Sequence, residues 1–281
     1  MRNMKLACIQ TCTGEDKRQN LDKVLPALAA AAEQGAHFIT LPETSNFMVQ
    51  GADKIAERLC AEEDDLFVRG LCDAAHQYGV MVLAGSVFVQ SEDMRAANRS
   101  LLIGADGVVK ARYDKIHLFD VTLASGERHR ESQRFRPGEK ATLYKSAMAN
   151  IGLTICYDLR FPQLFRKLAQ AGADIITVPS AFTRPTGEAH WHVLLRARAI
   201  ETGCFIIAPA QSGIHENGRA TYGHSLVVNP WGEILVNAQN QPNIGDVELI
   251  SVDVNLDAVD SARSQIPALT HDRDFDLDIV S

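Results

Sequence analysis

Short apolar runs alternate with longer amphipathic stretches from one end of the chain to the other. In the first half, the pattern predicts strands at 6–10, 37–43 and 80–88, helices at 20–35 and 52–77, and a hairpin over 98–110 that turns at Ala105-Asp106-Gly107. In the second half, it predicts strands at 141–145, 151–158, 173–181, 204–211 and 247–255, helices at 161–172, 187–202 and 255–269, and a hairpin over 225–237 around Asn229-Pro230-Trp231-Gly232. Strands that alternate with helices predict an α/β fold, and the hairpins make its sheets mixed. The repeated strand–helix plan hints at two related halves, which spacing alone does not establish.

Composition and charge narrow the class of protein. The 281 residues are 46% hydrophobic and 22% charged, which is ordinary for a globular chain with a large core. No Ser/Gly-rich or Pro-rich linker divides the chain, so one domain is predicted over 1–281, with 256–281 as a C-terminal helix and tail. The balance of 28 basic against 35 acidic residues gives a net charge of −7, which disfavours a nucleic-acid-binding protein.

The cysteines and the N-terminus indicate the compartment. None of the six cysteines forms a CxxC pair, which argues against the commonest zinc and thioredoxin-like sites. The first ten residues lack the basic start and apolar run of a signal peptide, and no apolar run approaches the length of a membrane span. These features predict a soluble, cytoplasmic protein with free thiols and no membrane contact.

Cys156 is the candidate nucleophile. It ends the apolar strand IGLTIC and directly precedes a predicted helix. A turn from strand to helix presents a side chain at the sheet edge, and free helix N–H groups lower the pKa of a thiol and stabilise an oxyanion. The other five cysteines are interpreted as packing residues.

A nucleophilic thiol needs a base, and two kinds of side chain are available. A Cys–His arrangement has nine histidines to draw on, but no local sequence marks the partner. His190 and His192 lie on different helix faces, which argues against shared metal ligation, and His117 and His224 are interpreted as structural. Glu43 follows the apolar strand FITLP, where desolvation should raise its pKa as a general base requires; the alternative is an ordinary acid at a helix start.

Lys115 and Glu131 carry little signal as single residues. A lysine in the charged segment RYDKIHLFD is typical of a solvated side chain, and Glu131 lies in the equally charged GERHRESQRFRPG. Residue-by-residue reasoning therefore stops short of a mechanism.

Five segments taken in order are more specific than any one of them. They are LPE (41–43), YDKIHLFD (113–120), the ES before RFRPG (131–138), ICYDLRFP (155–162) and YGHSLVVNPWG (222–232). Together they closely resemble the nitrilase superfamily of carbon–nitrogen hydrolases, and the similarity covers roughly residues 5 to 255.

The resemblance implies a role for each of these site residues. Glu43 is the general base, Lys115 the oxyanion stabiliser and Cys156 the nucleophile. Glu131 matches the second glutamate of the family, which positions the lysine and the substrate. The backbone N–H of Tyr157 shares the oxyanion with the lysine.

The resemblance also implies an architecture. It is a four-layer α-β-β-α sandwich with two mixed sheets, which dimerises by stacking helical layers and needs no metal or organic cofactor. One departure is Asp114, because relatives often carry arginine before the lysine; this change could alter the local charge around Lys115.

The implied substrate is a small amide that carries carboxylates. Within the superfamily, residues 184–213 resemble the deaminated glutathione amidase branch, which releases 2-oxoglutarate and cysteinylglycine. Arg160 is the candidate carboxylate clamp, since guanidinium binds carboxylate through two parallel hydrogen bonds. A second site, or simply a solvated loop, is formed by Arg128, Arg130, Arg134 and Arg136.

Several alternatives stay open at this level. One is an omega-amidase that acts on 2-oxoglutaramate or 2-oxosuccinamate, and a broader one is an N-carbamoyl amino-acid hydrolase. A non-catalytic binding module or a structural protein is disfavoured, because neither needs all four catalytic positions. The acidic tail 272–281 either packs on a neighbouring subunit or is a free end.

Overall fold

Strands and helices alternate along the chain, as the apolar pattern predicts. The computed structural model describes residues 2–91, 93, 95–122, 126, 128–239 and 246–280. The helices are α1 (Lys17–Glu33), α2 (Ala52–Ala56), α3 (Leu66–Tyr78), α4 (Pro162–Gln170), α5 (Arg184–Thr202) and α6 (Asp257–Gln265). The strands are β1 (Asn3–Thr11), β2 (Phe38–Thr40), β3 (Met81–Leu83), β4 (Val87–Gln90), β5 (Ala96–Ile103), β6 (Val109–Asp114), β7 (Asp120–Thr122), β8 (Arg128–Arg130), β9 (Thr142–Tyr144), β10 (Ile151–Leu153), β11 (Ile175–Thr177), β12 (Phe205–Ala208), β13 (Ser212–Ile214), β14 (Ala220–Tyr222), β15 (Leu226–Val228), β16 (Ile234–Asn237) and β17 (Val247–Asn255).

The two large sheets share one plan, with three parallel strands in the middle and antiparallel strands outside. The first sheet has the order β17-β1-β2-β3-β5-β4, with β6 also paired to β5, and β1, β2 and β3 run parallel. The second has the order β16-β15-β12-β11-β10-β9, with β12, β11 and β10 parallel. The repeated strand–helix plan of the sequence corresponds to these two sheets, and the prediction of mixed sheets is confirmed.

Alternation along β1 shows how the layers are built. Met4, Leu6 and Cys8 are buried in the core that the two sheets share, whereas Ala7 and Ile9 point to the opposite face, against α1 and α3. Buried residues of α4 and α5 cover the other face of the second sheet. The predicted order of layers, α-β-β-α, is therefore confirmed.

The helix predicted over 52–77 is wrong in its extent. The chain forms α2, a short 3₁₀ turn at Glu62–Asp64, and then α3. Asp65 starts α3 afresh, because its carboxylate accepts hydrogen bonds from the N–H groups of Phe67 and Val68. The helix predicted over 20–35 begins earlier, at Lys17, and the helix predicted over 255–269 ends at Gln265 and is followed by a 3₁₀ turn.

The strand predicted over 80–88 is divided into β3 and β4 by Gly85. This residue has φ +70°, and a Cβ there would lie 2.0 Å from the carbonyl oxygen of Pro42. Only glycine allows so close an approach to the segment that leads into Glu43. The break between β3 and β4 therefore leaves room for the segment that follows β2 and leads into Glu43.

Two small hairpins, β7–β8 and β13–β14, are absent from the sequence prediction. The hairpins that turn near residues 104–107 and 229–232 are confirmed. None of the described helices has an apolar stretch sufficient to cross a membrane. The apolar residues of the C-terminal tail are exposed, namely Phe275, Leu277, Ile279 and Val280.

Candidate active site

The site lies where the parallel strands of both sheets end. Glu43 follows β2, Cys156 follows β10, Ala181 follows β11 and Gln211 follows β12. The Gln211 side-chain amide donates to the backbone carbonyl of Glu43 at 2.9 Å, which ties this edge of one sheet to the same edge of the other. Side chains that leave such strands converge in the crevice at the carboxyl ends, as in other α/β sheets.

Glu43 is buried, with 4% of its surface exposed. Its Oε1 accepts hydrogen bonds from Lys115 Nζ at 2.8 Å and from Asn98 Nδ2 at 3.0 Å, and its Oε2 accepts one from the N–H of Ala181 at 2.9 Å. The Cys156 thiol lies near enough to the carboxylate of Glu43 and to the N–H of Ala181 for both to influence its ionisation. The same N–H binds Oε2, so this oxygen is the candidate acceptor of the thiol proton.

Lys115 lies between two carboxylates and is only 2% exposed. Its Nζ donates to Glu131 Oε2 at 2.9 Å and to Oε1 at 3.2 Å, in addition to its bond to Glu43. Glu131, in a 3₁₀ turn after β8, also accepts from the N–H of Phe119 at 2.7 Å. The structure therefore brings the predicted lysine, both predicted glutamates and the predicted cysteine together.

Asp114 does not disturb this cluster. Neighbouring residues of a strand point to opposite faces, and Asp114 forms a two-fold contact with Arg99, with Nε to Oδ1 at 2.6 Å and Nη2 to Oδ2 at 3.0 Å. Asp114 was expected to alter the charge around Lys115, but its carboxylate is paired with the guanidinium of Arg99 instead.

The strand predicted over 151–158 ends at Leu153, and Cys156 begins a tight 3₁₀ turn, Cys156–Arg160; the helix predicted over 161–172 is confirmed as α4, from Pro162 to Gln170. The φ of Cys156, +48°, lies in the left-handed region, where a residue with a Cβ is strained. Its N–H donates to the carbonyl of Pro179 at 2.9 Å. Thr44, next to Glu43, and His224 also have positive φ, at +59° and +58°, so backbone strain accompanies both the candidate nucleophile and the candidate base.

The fully buried side chain of Asp158 holds the 3₁₀ turn Cys156–Arg160 in place. Its Oδ2 accepts from Tyr113 Oη at 2.7 Å and from the N–H of Ile155 at 2.8 Å. Its Oδ1 accepts from the N–H of His117 at 3.1 Å and lies 2.6 Å from His117 Nδ1. One carboxylate therefore joins the cysteine turn to the strand that leads into Lys115, and His117 packs as a structural residue.

Burial and pairing shift the three reactive groups in directions that the sequence did not indicate. Burial opposes ionisation of Glu43, but the adjacent Lys115 ammonium outweighs it, so the pKa of Glu43 is lowered, whereas desolvation alone predicted a raised value. Burial likewise opposes the charge on Lys115, yet Glu131 and Glu43 raise its pKa. Burial and the Glu43 charge raise the pKa of Cys156, which corrects the expectation of a lowered thiol pKa. The resting site therefore holds a carboxylate base and a protonated thiol.

The pH at which kcat/KM falls on the acid side, the acid limb, tests which group is the base. Because the pKa of Glu43 lies below its ordinary value of about 4.3, the limb of kcat/KM against pH should fall below that value. A histidine base would place the limb near pH 6.5, about two units higher. A pH series of initial rates, with circular dichroism to monitor folding, distinguishes the two.

Stability should follow the same group. A carboxyl whose folded-state pKa is lowered contributes stability above its unfolded pKa, and that contribution is lost as the pH falls through the folded value. In Glu43→Gln this acid-dependent part should disappear from chemical denaturation curves. An activity limb near pH 6.5 in the native chain would assign the base to a histidine instead.

Cys156 lines a cavity of about 340 Å³. Tyr157 lines it as well, with its ring 5.1 Å from that of Phe119. Arg160 Nη2 lies 3.1 Å from His190 Nδ1, and its guanidinium lies 5.8 Å from the Phe182 ring. The arginines that line the cavity are Arg128, Arg130, Arg134, Arg160 and Arg219.

The four arginines that the sequence places in one loop, Arg128, Arg130, Arg134 and Arg136, do not all face the cavity. Three of them line the cavity, whereas Arg136 lies 3.8 Å from Glu139 and outside the lining. Among the lining residues that the sequence did not reveal are Asn98, inside β5, and Arg219, whose Nη2 donates to the carbonyl of Ala181. Strand alternation places Asn98 on the same buried face as Leu102, but nothing in the sequence shows which strand face meets Glu43. No group of three or more metal-ligating side chains occurs among the residues that the structure describes.

Comparison with known families and sequences gives a consistent result. The family model described as carbon-nitrogen hydrolase matches residues 5–264. A deaminated glutathione amidase of Yersinia enterocolitica is 39% identical over 279 residues, which cover 97% of this chain and 94% of that protein.

Solved structures agree with the sequence comparison. Saccharomyces cerevisiae Nit3, described as a member of branch 10 of the nitrilase superfamily, superimposes with a TM-score of 0.84 and 28% identity, covering 97% of each chain. A glutamate-to-glutamine variant of an amidase from Nesterenkonia sp. AN1, with acrylamide added to its active-site cysteine, gives a TM-score of 0.76 and 26% identity. That match covers 94% of this chain and 98% of the amidase.

Proposed function

The chain belongs to the carbon–nitrogen hydrolase family of the nitrilase superfamily and is an amidase for linear amides; on that premise we propose that it cleaves deaminated glutathione to 2-oxoglutarate and cysteinylglycine. The observation that carries the proposal is that Cys156 lines the same cavity as the buried Glu43–Lys115–Glu131 cluster, together with several arginines. The cluster supplies the chemistry, and the arginines supply the complement to a substrate with two carboxylates.

The first step forms a thioester. Glu43 Oε2 takes the proton of the Cys156 thiol as the sulfur attacks the amide carbonyl. Since the thiol has a raised pKa, it is deprotonated only as the carbon–sulfur bond forms. The negative charge passes from sulfur to the carbonyl oxygen, where the Lys115 ammonium and the Tyr157 N–H stabilise it.

The second step releases both products. Protonated Glu43 gives its proton to the departing amino group of cysteinylglycine, and the carbon–nitrogen bond breaks. Glu43 then removes a proton from water, whose oxygen attacks the thioester, and returns that proton to the departing sulfur. The carbon–sulfur bond breaks, and 2-oxoglutarate, the free thiol and the Glu43 carboxylate result. Glu131 keeps Lys115 charged and in place throughout, because both of its oxygens accept from the ammonium.

Recognition of the substrate is assigned to the arginines. Deaminated glutathione carries one carboxylate on the acyl part and another at the end of the leaving dipeptide. Arg160 follows Cys156 by four residues in the same turn and lines the cavity, which suits the acyl-side carboxylate. The other carboxylate is left to Arg128, Arg130 and Arg134. Local cations thus offset the net charge of −7.

A homodimer is part of the same proposal. Val193 and Ile200 on α5 are 68% and 55% exposed, and Trp231 and Ile266 are 54% and 59% exposed. Ile200, Trp231 and Ile266 line one surface recess beside α5, and exposed apolar side chains grouped in this way are typical of a surface that a second copy covers. Sedimentation equilibrium of the native chain measures the assembly.

A product assay over four candidate substrates, three amides and one nitrile, tests the substrate. We expect kcat/KM for deaminated glutathione to exceed that for 2-oxoglutaramate by at least about tenfold, because only the longer substrate engages the second set of arginines, and one added charge-assisted contact contributes about 1.5–3 kcal/mol. An N-carbamoyl amino acid and a simple nitrile should react more slowly still. Comparable rates for the first two substrates would indicate an omega-amidase.

The variant Arg160→Leu, measured in the same assay, tests whether Arg160 binds the acyl-side carboxylate. Loss of the acyl-side clamp should raise KM for deaminated glutathione and for 2-oxoglutaramate alike by about 10- to 100-fold. Arg166→Leu is the control, since Arg166 pairs with Asp272 on the exposed side of α4 and should leave both KM values unchanged. An unchanged KM in Arg160→Leu would remove Arg160 from the binding site.

A further inference from the structure

Asn98 contacts all three charged residues of the cluster. Its Nδ2 donates to Glu43 Oε1 at 3.0 Å and to Glu131 Oε1 at 3.2 Å. Its backbone carbonyl accepts from the N–H of Lys115 at 3.0 Å. The residue is 1% exposed, so no water competes for these bonds. Asn98 therefore bridges the two carboxylates with a neutral group, alongside the charged bridge that Lys115 forms.

The orientation of this amide is fixed by charge. With the NH₂ group turned toward Glu43 and Glu131, the amide donates to two anions; the reverse orientation would place its oxygen against both. In the described part of the chain, Oδ1 of Asn98 is buried and has no hydrogen-bond partner. A buried, unpaired amide oxygen lowers stability, which argues that the residue serves the cluster rather than the fold.

We propose that Asn98 is a positioning residue that directs the thiol proton to Oε2 of Glu43. Together with Lys115 it supplies two donors to Oε1, whereas Oε2, within the described ranges of the chain, accepts only from the N–H of Ala181 and keeps capacity for a proton. The inference rests on the proposed roles of Glu43 and Cys156.

The neutrality of the amide is essential to this role. The proton leaves sulfur and binds Oε2; Asn98 neither accepts nor releases a proton, because its amide does not titrate. A charged donor at this position would cancel one of the two carboxylates, and an acidic residue would add a third. Asn98 therefore stabilises both anions through hydrogen bonds without changing the net charge of the cluster.

The test compares three variants on β5. Asn98→Leu removes both donated bonds at similar size, Asn98→Asp keeps the shape but loses the donors, and Ser100→Ala changes a buried side chain two residues along the same strand. For each, kcat, KM and the pH profile are measured, together with the rate of Cys156 alkylation by iodoacetamide and the melting temperature.

Asn98→Leu should lower kcat by about 10²-fold with KM changed less than about threefold, since a misplaced base affects the chemical step. In Asn98→Leu, the pH at which activity falls on the acid side should rise by about one unit, both for turnover and for alkylation of Cys156. In Asn98→Asp, that pH should rise further. Ser100→Ala should match the native chain. Losses that are uniform over pH, or wild-type profiles in both Asn98 variants, overturn the inference. If Glu43→Gln also retains full activity, the proposed function fails as well.

Discussion

Cys156→Ala is expected to abolish turnover, with kcat lower by at least about 10⁴-fold, because no other group forms the thioester. Alanine keeps the Cβ, so the left-handed backbone at this position and the bond to the Pro179 carbonyl are retained. Substrate affinity in calorimetry and the melting temperature should therefore stay near the values of the native chain. Mass spectrometry should detect an acyl-enzyme only when the thiol is present.

Cys8→Ala is the matched control. The Cys8 thiol is also fully buried, and burial raises its pKa to about 12. It contacts the Thr40 hydroxyl at 3.4 Å rather than a carboxylate. Its loss should cost about 1 kcal/mol of stability and leave turnover intact. Full activity in Cys156→Ala would disprove the thioester mechanism.

Lys115→Met should damage both activity and stability. The oxyanion would lose its cation, and a single such donor is typically worth about 10²- to 10³-fold in kcat. Glu43 and Glu131 would remain buried beside each other without a partner charge, and breaking a buried ion pair from one side costs about 3–5 kcal/mol. The pKa of Glu43 should rise, since its main stabilising charge is gone. Steady-state kinetics and urea denaturation measure the two effects.

A second lysine separates the two contributions. Lys17, 13% exposed at its side chain, pairs with the fully buried Asp65 at 2.7 Å, outside the residues described as lining the cavity. Lys17→Met should therefore lose stability but retain kcat. Adding Glu131→Gln to Lys115→Met should recover part of the stability, because one unpaired charge is removed, without recovering activity. A Lys115→Met variant with native kcat would show that the oxyanion is held by backbone groups alone.

Much of the fold was predictable because β1 and its neighbours alternate strictly between two cores, and strand–helix order fixes an α/β sandwich. The positions at which a strand or helix is interrupted could not be predicted. Gly85 divides a continuous apolar run because a carbonyl of the segment after β2 approaches it, and the local sequence pattern does not show that approach. Asp65 restarts α3 in the middle of a stretch with helical spacing throughout.

At the site, residue positions could be predicted better than their electrostatics. Glu43 is at the strand end where the sequence places it, but local sequence gives only its desolvation, which raises the pKa; the opposing charge of Lys115 comes from 72 residues away. Asn98 and Arg219 were missed for the same reason, because their partners at the site are far away in sequence: Glu43 lies 55 residues from Asn98, and Ala181 lies 38 residues from Arg219. Short-range pattern identifies a side chain, whereas its charge state depends on partners that only the folded chain supplies.

The two carboxylates around Lys115 also determine what happens after the reaction. Hydrolysis of the amide replaces a neutral carbonyl group by an anion at Cys156, directly beside Glu43 and close to Glu131. One ammonium balances only one of the two glutamates, so the cluster is net negative in a site with little water to screen it. Under the proposed mechanism, the carboxylate that forms at Cys156 is therefore repelled by Glu43, whereas the other carboxylate of the product faces the arginines that line the cavity. Release of the product should thus begin at the cysteine end.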